Sequence, residues 1–487
     1  MRFVSTRGQS PAVLAPEALL LGIAPDGGLY MPDHLPQADW AGLPDDYPAL
    51  AAALWGLLLP GFSAEELHSA AQAAYGPRFE SPEVAPLFSL DGAWVLELFH
   101  GPTAAFKDLA LTALPPLMAF SRDRLCPKKN ILLLTATSGD TGSAAMAGFA
   151  GQPRSKALVF YPSGGISPVQ EAQMRRMPGD NLLAFAIRGD FDAAQAGVKA
   201  AFARALETGP GEGLILSSAN SINIGRLMPQ LVYYFSAYKR LVSRGALKAG
   251  QPLHAVVPSG NFGDILAGLL AKRLGLPLGK LVCASNQNRV LADFLATGRY
   301  DRRRQLRLSL SPSMDILVSS NVERLLYLAS GGDAPQVAGL MRQLESAGHY
   351  QLPQGMLANI QQDFLAASAT EEDTLAAIQN VWQAQRYVLD PHSAVAWQVY
   401  QSLRGQLPPG PVLVLSTASP FKFPGTVLRA LGEEVPEGLS AMRKLAEITG
   451  LPLPRALAWL EAAPQLRGRV IEPEDIVATA LQEARAW

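Results

Sequence analysis

From about Trp94 onward the chain alternates short apolar runs with longer stretches of helical period. NILLLTAT (Asn130 to Thr137) is apolar on both faces and ends in small polar residues, the pattern of a buried strand. The pattern returns in KALVFYPSG, NLLAFAIRG, GLILSSAN, LHAVVPSG, KLVCASN and PVLVLSTAS. Helical segments such as FDAAQAGVKAAFARALE and INIGRLMPQLVYYFSAYKRLVSRG lie between several of them. Strands without a polar face, separated by helices, predict an α/β fold of two lobes, each a parallel sheet covered by helices. Before Trp94 prolines punctuate the text and one helix is predicted, SAEELHSAAQAAYG, with Ser63 as N-cap and Gly76 as stop. The expected division is an N-terminal domain at 1–92, a first α/β lobe at 93–245, and a second at 246–487 that ends in a helical cap beyond about residue 435.

Composition narrows the function classes. The 41 Lys plus Arg against 42 Asp plus Glu leave a net charge of -1, so no global positive field draws in a nucleic acid. With 48% hydrophobic and 17% charged residues among 487, the chain can bury enough apolar surface to fold. Cys126 and Cys283 form neither a disulfide framework nor a metal cluster, and no metal site is expected. The N-terminus MRFVSTRGQSP has no signal-peptide core, and the longest apolar run, Leu50 to Leu59, is about half the ~20 residues of a membrane span. The expectation is a cytoplasmic protein with no membrane partner.

In such folds ligands bind beyond the carboxyl ends of the strands, and three segments there carry chemistry. SGNFGD follows the His254 to Val257 strand and opens a helix whose apolar face is Ile265, Leu266, Leu269, Leu270 and Leu274. Gly260 and Gly263 lack Cβ atoms, so this turn serves either as a phosphate cradle at a helix N-terminus or as a tight turn alone. Asp264 would oppose a phosphate unless it points away. The turn Thr137-Ser138-Gly139-Asp140-Thr141-Gly142-Ser143 is equally suited to a second anion or to N-capping. Lys107, set among Phe99, Ala104, Ala105, Phe106, Leu109 and Leu111, is either a desolvated amine fit for Schiff-base chemistry or a surface lysine paired with Asp108. His392 follows Asp390-Pro391, a cap and first helical residue, and reads as structural.

HGPTAAFKD, TATSGDTGSAA, SANSINIGRL, VPSGNFGD and DPHSAVA, in this order and preceded by STRG and APDGGLYMP, resemble the threonine synthases of the longer bacterial and fungal type. The resemblance implies a fold like the β subunit of tryptophan synthase, with pyridoxal 5′-phosphate in the cleft between the lobes. It implies that Lys107 forms the Schiff base, that Gly260, Asn261, Phe262, Gly263 and Asp264 hold the cofactor phosphate, and that Thr417 meets the pyridine nitrogen. Thr137, Ser138, Asp140 and Thr141, with Asn220, Ser221, Asn223 and Arg226, are implied to hold a phosphorylated amino acid. The implied reaction converts O-phospho-L-homoserine and water to L-threonine and phosphate. The chain departs from the family pattern at Ser419, where a histidine is often found, and this keeps open a phospholyase releasing 2-oxobutanoate. A non-catalytic cofactor-binding protein is the remaining alternative, and a monomer or homodimer is expected.

Overall fold

The structure is a computed structural model in which residues 1–208, 213–464 and 469–485 are described. Each of the seven apolar runs forms a strand. A five-stranded sheet has the order Arg469–Ile471, Leu182–Ile187, Ser155–Pro162, Asn130–Ala136 and Leu214–Ser218, parallel throughout. A six-stranded sheet has the order Phe364–Ser368, Leu278–Ser285, Leu253–Pro258, Val412–Ser416, Ala93–Glu97 and Leu87–Leu90, and only its last pairing is antiparallel. The α/β architecture read from the sequence is therefore present.

Strand pairing cuts across the boundaries expected at 93 and 246. Leu87–Leu90 and Ala93–Glu97 belong to the sheet built otherwise from the second half of the chain, and Arg469–Ile471 returns to the edge of the first-lobe sheet. Parallel partners are joined by long crossovers, so nothing local to a strand specifies its neighbour.

The N-terminal region holds more helix than expected: Ala15–Leu21 and Tyr47–Leu58 precede Ala64–Tyr75. Tyr47–Leu58 contains most of the longest apolar run, and its period was hidden because the exposed side is apolar too. Only the burial of Leu50, Ala51, Leu54, Trp55 and Leu58 marks the inner face. Ser63 caps its helix as expected, accepting the Glu66 amide at 3.2 Å while Glu66 Oε2 accepts the Ser63 amide at 2.7 Å. Such a box stabilises the helix by about 1 kcal/mol. Among the described residues no helix is long and apolar enough to cross a membrane.

Candidate active site

The two glycine turns and the lysine segment leave the carboxyl ends of strands, and pairing between Ala93–Glu97 and Val412–Ser416 brings the lysine segment beside Thr417. Past the strands the ladder continues: the Leu98 amide donates to the Ser416 carbonyl at 2.9 Å and the Phe106 amide to the Thr417 carbonyl at 2.8 Å. The Ser419 amide returns a bond to the Ala104 carbonyl at 3.0 Å. Lys107 and Thr417, distant in sequence, thus line one cleft.

Lys107 is not a surface lysine paired with Asp108. Its side chain is 12% exposed, and Nζ lies 3.4 Å from Asp140 Oδ2 and 4.6 Å over the Phe106 ring. Burial pushes its amine below the ordinary lysine value, and the charges of Lys422 and Arg226 add to this while Asp140 opposes it. Asp108 turns inward instead. It accepts the Thr103 hydroxyl at 2.6 Å and the Thr103 amide at 2.9 Å, which fixes the loop bearing Lys107. Burial raises its carboxyl to about 6 against those bonds.

Asp140 stands at the start of the helix Asp140–Phe149. Burial alone would raise its carboxyl, but Lys422 at 2.8 Å and Lys107 together hold it well below the carboxylate range. Gln170 Nε2 donates to Oδ1 at 2.7 Å and Ser313 Oγ to Oδ2 at 3.2 Å. The cleft also takes in Thr141, Asn220, Ser221, Arg226, Gly260, Asn261, Gly263 and Asp264.

Four residues implied for the site do not line it: Thr137, Ser138, Asn223 and Phe262. The Thr137 hydroxyl accepts the amides of Gly139 and Gly142, each at 2.9 Å, so those two amides serve the turn and not an anion. Asn223 caps the next helix through the Gly225 amide at 2.9 Å and donates to the Leu19 carbonyl at 3.0 Å. Phe262 packs its ring against Phe364 with centroids 5.6 Å apart. Its contribution to the turn is a backbone at φ 63°, a conformation costing a non-glycine residue about 1–2 kcal/mol. Gly260 is required for space: a Cβ there would lie 2.5 Å from the Ser313 carbonyl oxygen.

Arg226 is 3% exposed and, among the described residues, has no carboxylate partner. One terminal nitrogen donates to the Ala219 carbonyl, while Nε finds no acceptor. Burial lowers its pKa to about 10, so the guanidinium remains charged. A buried cation without a counterion is costly unless an anion completes it.

Asp264 accepts the Ile265 amide at 2.9 Å, and burial pushes its carboxyl up to about 7 despite that bond and the charge of Lys107. Near neutral pH it is therefore only partly ionised, and its repulsion of an anion at the same helix end is reduced. A raised folded pKa costs stability as pH climbs from the ordinary value near 4 toward 7, because the unfolded chain sheds the proton first. Asp264→Asn keeps the acceptor for Ile265. In the apoprotein it is expected to melt at higher temperature than wild type at pH 8, the gap closing as pH falls to about 4. Thermal melts across that range test this, and a pH-independent gap would refute it.

Several contributors carried no clear sequence signal. Lys422, fully buried, donates to the Thr103 carbonyl at 2.9 Å and pairs with Asp140; its one clue is that no other lysine lies between Lys280 and Lys444. Gln170 belongs to a capping box with Ser167 and spends its amide nitrogen on Asp140. Asn321 Nδ2 bridges the carbonyls of Asn261 at 2.9 Å and Ser221 at 3.3 Å, tying two cleft loops together. His392 lines the cleft, with Nε2 accepting the Ser313 amide at 3.2 Å and Nδ1 thereby left to donate to Asp390 at 2.7 Å. Asp390 caps this helix as expected, accepting the amides of His392 and Ser393. Ser419, the departure from the family pattern, is buried outside the cleft and accepts the Phe421 amide at 3.3 Å.

Two largely parallel sheets meet at a cleft with a buried lysine, and the family model described as pyridoxal-phosphate dependent enzyme matches residues 76–418, which puts the chain in that class. Models for the threonine synthase N terminus and C-terminal region match residues 2–75 and 393–465. The threonine synthase of Pseudomonas aeruginosa is 40% identical over 443 residues, covering 88% of this chain and 90% of that protein. The PLP-bound threonine synthase structure from Brucella melitensis superposes with a TM-score of 0.87 at 37% identity, covering 100% of this chain and 99% of that one. Threonine synthase-like 1 of Macaca fascicularis is 39% identical over 88% of this chain, and the chain spans 60% of that protein's length. This chain belongs to the threonine synthase family.

Proposed function

We propose that this protein converts O-phospho-L-homoserine and water to L-threonine and inorganic phosphate with pyridoxal 5′-phosphate bound in the cleft. The observation that carries the reading is a buried guanidinium, Arg226, without a carboxylate partner among the described residues, in the same cleft as a buried lysine amine of lowered pKa. The donor set fits the cofactor. Lys107 would supply the amine for its aldehyde, the turn at Gly260, Asn261 and Gly263 would present a helix N-terminus to its phosphate, and Thr417 would offer a hydroxyl to its ring nitrogen. When bound, the cofactor acts as an electron sink that acidifies the carbon beside the substrate's amino group.

The chain's own residues do the rest. Lys107 Nζ takes and returns the proton at that carbon, which a lowered pKa permits near neutrality. Arg226 receives the substrate phosphate and stabilises it as it leaves as an anion. Thr141, Asn220 and Ser221, which also line the cleft, orient the amino acid portion. Asp140 stays ionised beside Lys107, at 3.4 Å from its Nζ.

Incubation of the holoprotein with O-phospho-L-homoserine, with chromatographic identification of products, tests the reading. Threonine and phosphate in equal amounts are expected. Accumulation of 2-oxobutanoate and ammonia, or no turnover, would overturn it.

A further inference from the structure

Asp140 is one carboxylate between two lysines. Its Oδ2 faces Lys107 at 3.4 Å, and its Oδ1 meets Lys422 at the shorter distance of 2.8 Å. Lys422 is fully buried and anchored at its other contact by the Thr103 carbonyl at 2.9 Å, so its ammonium cannot swing away. The other charged or titratable groups facing this cluster are Arg226 and the carboxyl of Asp264, each near enough to influence Lys107, His392, which acts on Asp140, and the buried carboxyl of Asp108, which lies near Lys422.

Lys422 has two physical effects here. It satisfies most of the carboxylate's demand for a counterion, so the longer contact to Lys107 is the weaker one. It also places a fixed positive charge beside Lys107, which disfavours a second ammonium. Without Lys422, Asp140 would have Lys107 as its sole lysine partner and would hold it protonated and tethered.

We propose that Lys422 is a positioning residue that draws Asp140 away from Lys107 and so keeps the Lys107 amine free to react. The proposal rests on the reading that Lys107 is the lysine to which the cofactor attaches. Through Thr103 and Asp140, Lys422 also joins the lysine loop to the turn after the strand Asn130–Ala136.

The test is the pH dependence of pyridoxal 5′-phosphate uptake by the apoprotein, followed by the visible absorbance that appears on covalent attachment. Uptake by wild type rises with pH and levels off as the amine loses its proton. Lys422→Met is expected to move the midpoint upward by about one pH unit or more, which slows uptake roughly tenfold at pH values below it. Lys422→Gln, which keeps an N–H donor for Asp140 and the Thr103 carbonyl, is the second variant should the apolar one fail to fold, and the same shift is expected. Lys422→Arg should restore the wild-type midpoint. Adding Asp140→Asn to Lys422→Met should bring the midpoint back down, because the carboxylate that tethers Lys107 is gone. A purely structural role would lower the extent of uptake at every pH without moving the midpoint, and that result overturns the proposal. If Lys107→Ala retains the absorbance, the underlying reading fails instead, so the two failures are distinguishable.

Discussion

Lys107→Ala protein is expected to lack the visible absorption of covalently attached cofactor and to lose turnover by at least the ~10²–10⁴-fold that one positioned proton-transfer group supplies. The fold should survive the change. Asp140 keeps Lys422 at 2.8 Å and Gln170 at 2.7 Å, so no buried carboxylate is orphaned. The lysine loop is held by Asp108 and Thr103 and by the backbone bonds to Thr417 and Ser419, none of which involves the Lys107 side chain. Circular dichroism and melting temperature close to wild type, with the absorption band gone, are the combined outcome. A band retained in the purified variant would show that another amine carries the cofactor, and the role given to Lys107 would fall.

For Arg226→Ala the expected loss is in kcat/KM for the phosphorylated substrate, about 10²–10³-fold, the scale seen when a donor to a developing oxyanion is removed. Cofactor affinity should change far less, because the proposed cofactor-phosphate turn at Gly260 to Gly263 is built on a different strand and helix. The mechanism is an uncompensated cation: with Nε lacking an acceptor, the guanidinium gains most when an anion arrives. Arg226→Lys keeps the charge without the planar fork and should recover part of the loss. Equal losses in cofactor binding and turnover would sink the assignment. Titration of the visible band against cofactor concentration, set beside steady-state kinetics, separates the cases.

Much of this was legible in the residues. The seven strands were visible because a strand buried on both faces leaves a continuous apolar run, and the Ser63 and Asp390 caps because capping acts over three residues. The family motifs placed Lys107, Arg226 and the glycine turn on the wall of one cleft. The helix Tyr47–Leu58 was missed because its apolar run gave no period, and Thr137 and Asn223 were assigned to the substrate although their side chains bond backbone. A hydroxyl or amide beside a functional turn looks the same in sequence whether it faces the ligand or holds the turn.

The sequence by itself determined the seven apolar strands and the strand-end turns, since hydrophobic period and turn chemistry operate within a few residues of chain, and its family motifs singled out Lys107 as the candidate amine. Tertiary structure alone decided the strand order, which set Lys107 beside Thr417, and the second partner of Asp140, which came from Lys422 far along the chain. A carboxylate buried between two ammoniums has its charge balance fixed by distances across the cleft, and those depend on which strands pair, a choice that no local pattern encodes.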